Sequence, residues 1–333
     1  MIAVKVRRLR LVKLRRDLLR IIQITLKMLI LFLIPLVIVA VILKYARKSK
    51  KTSLKGRHVV VTGGSSGIGK AVPILAANQG AHVTILARNI DRLIDAQEEI
   101  KQYCIDEEQM ISKVSVDVAN YEDVENNLCE LEETVGPIYM LVNCAGQAIC
   151  GRVEDFTEQQ IKTLIDTNFL GTLYPIKAII PKFKLRKEGI IVLTASQVAL
   201  MGMYGYSVYS GHIISPLLSL PADTDTPGYE LENKTKPEET KLISTVGGLK
   251  SPEEVAKKLL DDALNGKFFS YIPTLECFVL TTLCVGMSPF GSLLELLIQV
   301  VLLGPLRLVA AFYIMSFDRI VKKCYIKREK PNK

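Results

Sequence analysis

The stretch HVVVTGGSSGIGK, residues 58–70, constrains the fold more than any other part of the chain. HVVVT is a β-branched run of the kind buried on both faces of a parallel sheet, and glycines follow at 63, 67 and 69. Glycine allows a tight exit from a strand and lets the next helix start against it, so that the free N–H groups of that helix face a pyrophosphate. A glycine triplet alone is a weak signal, and its position between strand and helix is what gives it weight. Gly63, Gly64, Ser65, Ser66, Gly67, Ile68 and Gly69 are therefore predicted to line a dinucleotide site, with the two serines adding hydroxyl donors.

The same rhythm continues downstream. AHVTILAR (81–88) ends in Arg88, and Arg92 follows one helical turn later. An acid at this point would bind a ribose 2′-hydroxyl, whereas cations suit a 2′-phosphate, so NADPH is expected rather than NADH. The plain alternative is that both arginines are solvated surface charges. ISKVSVDV (111–118) ends in Asp117 and Val118, where the carboxylate is placed to accept from an adenine amino group. IYMLVNCAG (138–146) ends at Asn143, Ala145 and Gly146, where small side chains let a cofactor lie close to the backbone. Strand and helix alternating at this spacing predict an α/β fold, a Rossmann-like doubly wound parallel sheet with ligands at its C-terminal edge.

The net charge of +9 suggests a nucleic-acid partner until it is divided along the chain. Residues 1–57 carry 16 Lys/Arg against one acid and residues 316–333 carry seven against two, leaving 20 basic and 31 acidic residues between them. An acidic body repels a phosphate backbone, so no nucleic-acid partner is expected. The basic ends instead flank apolar segments. Residues 28–43, MLILFLIPLVIVAVIL, have no charge and lie between Lys27 and Lys44, which predicts a transmembrane anchor over 28–44. Its orientation does not follow from charge, since both sides are basic. Residues 271–314 form a second apolar region, interrupted by Glu276, Glu295, Gln299 and Arg307, in which Pro289 and Pro305 are expected to break or kink helices. A hairpin in the bilayer, an interfacial pair or a lid over the site all fit that pattern. The organisation read from the chain is a basic segment 1–27, the anchor, an NADP(H)-binding domain 56–268, an apolar membrane-associated region 269–315 and a basic cytosolic tail 316–333. Seven scattered cysteines without a CxxC pair point to a reducing compartment and to no metal site.

TGGSSGIG, NCAG, Asn168 in LIDTNFLG and Ser196 thirteen residues before Tyr209 together resemble the short-chain dehydrogenase/reductase pattern. PADTDTPGYELENKTKPEETKLIS and the ending SFDRIVKKC resemble, within it, the membrane-bound branch that reduces ketosphingoid bases. The resemblance implies reduction of 3-ketosphinganine by NADPH, with Tyr209 donating the proton, Ser196 holding the carbonyl oxygen and Asn168 supporting a water chain. It also implies a long-chain ketosphingoid drawn from a lipid bilayer, and the endoplasmic reticulum membrane with the catalytic domain facing the cytosol. The glycosylation sequon Asn233-Lys234-Thr235 stays unmodified in that orientation. Homo-oligomer formation is left open. So are two other readings: a membrane-tethered dehydrogenase of steroids, retinoids or acyl chains, and an NADPH-binding variant without turnover.

The family places a lysine four residues after the tyrosine, where its charge lowers the phenol pKa from about 10. This chain has Ile213 there, and the next lysine after Tyr209 is Lys234. Tyr206 offers no substitute, since Ser210 lies four residues on, and His212 is largely neutral near neutral pH. A tyrosine pKa shift of about 3 units corresponds to roughly 4 kcal/mol, so losing the cation costs about two to three orders of magnitude in rate. The family's helix and strand after the tyrosine need roughly 20 residues, but only eleven, Ser210 to Leu220, precede Pro221. Both elements are therefore expected to be missing, as in an alternative transcript or a faulty gene model that substitutes GHIISPLLSL for a longer block. Transcripts sequenced across codons 205–225 are expected to include a longer form; one uninterrupted exon with abundant message and no longer form contradicts this.

Overall fold

A computed structural model of the chain describes residues 52–200, 206, 218–244, 248–284 and 293–329. The predicted anchor over 28–44 and the segment holding Tyr209, His212 and Ile213 lie outside these residues.

Strand β1 (His58–Thr62) is buried at every position, as its β-branched run requires of a strand covered on both faces. It leads into α1 (Gly67–Ala77), β2 (His82–Ala87), α2 (Ile90–Lys101), β3 (Ile111–Ser115), α3 (Tyr121–Thr134) and β4 (Ile138–Asn143). The helix starts are written locally: Asn89 accepts from Arg92 N–H at the head of α2, and Asn120 does the same for Asp123 at α3. A longer helix follows in three parts, α4 (Glu158–Leu164), a π-helical turn (Ile165–Leu170) and α5 (Gly171–Arg186), before β5 (Ile190–Thr194). Beyond β6 (Leu218–Ser219) lie α6 (Pro227–Thr235), α7 (Glu238–Ser244), α8 (Pro252–Leu264) and β7 (Phe269–Ser270).

All pairs are parallel, in the order β3-β2-β1-β4-β5-β6-β7. The order reverses between β1 and β4, and the crevice beyond their C-terminal ends is where such sheets take ligands. Alternation along β1 divides the core between two layers. Val59 and Val61 pack with Val72, Ala76, Leu93 and Leu259 from α1, α2 and α8, and Val60 packs with Val124, Leu128 and Ile179 from α3 and α5.

The sheet corrects one expectation. The strand after Tyr209 is present in shortened form, because Leu218 and Ser219 pair with Leu193 and Thr194 on one side and Phe269 and Ser270 on the other. Ala195 N–H to Ser219 C=O at 2.8 Å and Leu220 N–H to Ser270 C=O at 2.7 Å lengthen the ladder. Two neighbours already in register template a third strand through backbone hydrogen bonds alone, so two residues suffice to keep the sheet order continuous.

At the C-terminal end come α9 (Leu275–Cys284) and α10 (Leu293–Glu329). α10 continues through Pro305, so of the expected break or kink the break does not occur there. Gly304 precedes it, and a residue without a Cβ escapes the clash with the proline ring that normally drives the preceding residue out of the helical region. The stretch Glu295–Ile326 is long and apolar enough to cross a membrane. Its apolar side chains are largely uncovered, Leu308 at 68% and Phe312 at 74% exposure. A helix this apolar all round satisfies its own backbone and suits lipid better than water.

His58 is a titratable group inside this core. Its Nδ1 lies 2.8 Å from Gly136 C=O and its Nε2 2.9 Å from Thr84 Oγ1, and burial lowers its pKa to about 4. The folded state resists the proton that the unfolded chain accepts near pH 6.5, so stability is full above that pH and falls as pH drops from about 6.5 to 4. The loss reaches about 3 kcal/mol at most. Denaturant unfolding against pH is expected to show this slope in the unaltered protein and a flatter one in His58→Gln.

Candidate active site

The glycine-rich turn leaves β1 at the switch point. Gly63 has φ +68°, and a Cβ there would lie 2.8 Å from Ala145 N. At Gly67, φ is +55°, and a Cβ would approach Thr226 Cγ2 to 2.9 Å. Both positions combine a left-handed backbone with a close approach, which only glycine tolerates. Ser66 caps α1 without using its side chain, so the first N–H groups of the helix and the hydroxyls of Ser65 and Ser66 are open to an anion. Gly64 and Gly69 are buried, whereas Ser65, Ser66 and Ile68 are half-buried along the turn.

Thr62, at the end of β1, was not among the residues the sequence singled out. Its Oγ1 accepts from Cys144 N–H at 3.2 Å and Ala145 N–H at 3.1 Å, joining the turn to the end of β4. The signal available in the sequence was a hydroxyl residue placed directly before the first glycine. Asn143 is buried; its Nδ2 reaches Thr172 C=O at 3.5 Å, and its Oδ1 has no partner among the described residues.

Asn168 sits in the π-helical turn, a geometry often found where a side chain must be re-aimed. Its Nδ2 donates to Gln147 C=O and its Oδ1 accepts from Gln147 N–H, both at 2.9 Å. The amide is thus committed to holding the loop after Gly146. Val118 is buried against Gly171, where a Cβ would lie 2.6 Å from Val118 Cγ2. Asp117 is exposed and accepts from Ala119 N–H at 3.0 Å. Arg88 and Arg92 are exposed at the end of β2 and the start of α2, and neither enters an ion pair among the described residues. The structure therefore brings the turn, the end of β4 and Asn168 together, with the two arginines and Asp117 along one side of the sheet edge.

Ser196 follows β5 and is half-buried; its Oγ accepts from Val198 N–H at 3.3 Å, and its hydroxyl proton has no acceptor among the described residues. The short turn after it, Gln197–Leu200, carries α9. Gln197 Nε2 contacts Cys277 Sγ, and Cys284 Sγ donates to Leu200 C=O at 3.1 Å. Tyr206 is buried and donates its hydroxyl to Glu232. Burial first, and then the Glu232 charge, push its pKa far above the ordinary phenol value, so this tyrosine keeps its proton.

The glycine cradle, the open helix start and the exposed arginines at the end of β2 and the start of α2 fit a dinucleotide. The sequence model of the family described as short chain dehydrogenase matches residues 57–211. The chain belongs to the short-chain dehydrogenase/reductase family of oxidoreductases, whose fold binds a nicotinamide dinucleotide. It is 41% identical to a 3-ketodihydrosphingosine reductase of Bos taurus over 300 residues, 84% of this chain and 90% of that protein. It is 39% identical to a 3-dehydrosphinganine reductase of Danio rerio over 317 residues, 90% of this chain and 95% of that protein. Among solved structures, a short chain dehydrogenase/reductase from Burkholderia phymatum in complex with NAD has TM-score 0.58 at 18% identity, covering 66% of this chain and 90% of that one.

Asn168→Ala strips partners from two backbone groups of Gln147. A loss of about 1 to 2 kcal/mol is expected, which lowers the thermal midpoint by about 3 to 6 °C in calorimetry.

Proposed function

We propose that this chain comes from an NADPH-dependent reductase of 3-ketosphinganine, forming sphinganine in sphingolipid synthesis. The observation that carries this is the 41% identity to the bovine 3-ketodihydrosphingosine reductase along 84% of the chain. NADPH supplies the hydride when bound. Residues 63–69 and the start of α1 hold its pyrophosphate, Arg88 and Arg92 its 2′-phosphate, and Asp117 with Val118 its adenine. Asn143, Ala145 and Gly146 give the nicotinamide end room against β4. The preference for NADPH is supported by the two exposed arginines, which have no carboxylate partner among the described residues.

Ser196 donates its hydroxyl hydrogen bond to the ketone oxygen and stabilises the charge that develops there. Tyr209 gives that oxygen its proton. Asn168 supports proton resupply through the loop it positions, since its own amide is engaged with Gln147. α10 and the segment 28–44 keep the enzyme at the endoplasmic reticulum membrane, where the long-chain ketosphingoid resides, with the catalytic domain on the cytosolic side; a homo-oligomer is compatible with this arrangement.

Ile213 favours a second reading, an NADPH-binding form without turnover. Lipid extracts of cells lacking their own reductase separate the two. Supplied with this chain, such cells are expected to form sphinganine at about a hundredth or less of the rate reached with a version carrying a full helix, strand and lysine after Tyr209. Equal rates contradict the role given to the lysine. A repaired version that oxidises NADPH with a ketosteroid and not with a ketosphingoid contradicts the substrate.

A further inference from the structure

We infer that Tyr206, donating to the carboxylate of the buried Glu232–Lys236 pair at the end of α6, forms a latch that holds that helix at the glycine-rich turn and thereby sets how tightly the dinucleotide is gripped. The inference rests on the nucleotide site proposed above. Glu232 and Lys236 pair at 2.8 Å, with the Lys236 side chain wholly buried and that of Glu232 15% exposed. Tyr206, from the segment after β5, donates its hydroxyl to the same carboxylate. The Lys236 ammonium also lies over the rings of Tyr229 and Tyr206, 4.3 and 5.9 Å from their centroids. From the loop after β4, Cys150 N–H donates to Thr235 Oγ1 at 3.1 Å. The segments leaving β4, β5 and β6 therefore meet on one helix.

The other end of that helix is the nucleotide turn. Thr226, which caps α6 by accepting from Tyr229 N–H at 3.1 Å, is the residue a Cβ at Gly67 would strike. A shift of α6 would thus be felt at the pyrophosphate cradle.

A buried ion pair is a poor source of stability, because apolar residues of the same size pack there as well or better. Glu232 and Lys236 lie one turn apart at the end of the same helix, so the pair moves with α6 and by itself fixes nothing. It balances the charge of the carboxylate, and α6 cannot shift without drawing that carboxylate away from the Tyr206 hydroxyl and losing the hydrogen bond between them in a low dielectric. Burial alone would lower the Lys236 pKa, but Glu232 paired beside it, with Asp223 beyond, holds it above the ordinary lysine value. The ammonium therefore stays charged. Tyr206, also kept protonated, remains a donor throughout.

The test titrates NADPH and NADH into the full chain by nicotinamide fluorescence and measures amide exchange, for Lys236→Met, Glu232→Gln, the two combined, and Tyr206→Phe. Either single charge change is expected to weaken dinucleotide binding about tenfold or more, and Tyr206→Phe about threefold. The combined variant should lose less than the product of the single losses, as coupled residues do. Exchange across 226–236 should rise in the same order while strands 58–62 and 138–143 stay protected. Affinity within about twofold of the unaltered chain in Lys236→Met, with the strands protected, overturns the latch. If Lys236→Met loosens the strands as well, Tyr206→Phe decides, and unchanged affinity and exchange there overturn it. If the unaltered chain binds neither dinucleotide, the cofactor reading fails instead. Exchange across 226–236 then decides alone, and no rise in Lys236→Met or Glu232→Gln overturns the latch.

Discussion

Everything at the site depends on how closely the backbone after β1 approaches the backbone after β4. Gly63 and Ala145 are near enough that a single methyl group at 63 would be 2.8 Å from an amide nitrogen, and Thr62 ties the two together with a pair of hydrogen bonds. That contact keeps the switch-point crevice narrow, starts α1 against the strand and aims its free N–H groups at one place. The buried valines of β1 make the contact stable by fixing the strand between two helical layers.

Around this contact the polar groups divide into those spent on structure and those left for chemistry. Asn168 is spent, since both ends of its amide hold Gln147. Tyr206 is spent on Glu232, and its raised pKa takes it out of proton transfer. Ser196 retains a hydroxyl proton, and Arg88 and Arg92 remain exposed cations. This division explains why three loops can close on α6 without consuming the groups that a ketone and a dinucleotide would need.

The alternation of strand and helix up to β5 was legible residue by residue, because burial on both faces demands apolar runs and each glycine turn marks an exit. β6 was not legible. Two residues have no periodicity, and Leu218 and Ser219 become a strand only because β5 and β7 offer backbone partners on both sides. At Pro305 the sequence left a break and a kink open, and α10 continues there, with Gly304 beside the proline carrying the reason. Nor did any local pattern signal that Lys236 and Tyr206, thirty residues apart, share one buried carboxylate.

By itself the sequence determined the parallel α/β architecture, the glycine-rich turn at residues 63–69 and the absence of a lysine four residues after Tyr209, since each is written in local composition and spacing. The tertiary structure alone decided that the sheet stays continuous across the shortened segment, that Asn168 is a clamp on a loop, and that the segments after β4, β5 and β6 converge on α6. Those outcomes come from pairing and burial between residues far apart in the chain, where desolvation makes each partner's identity matter only once the fold has brought it into contact.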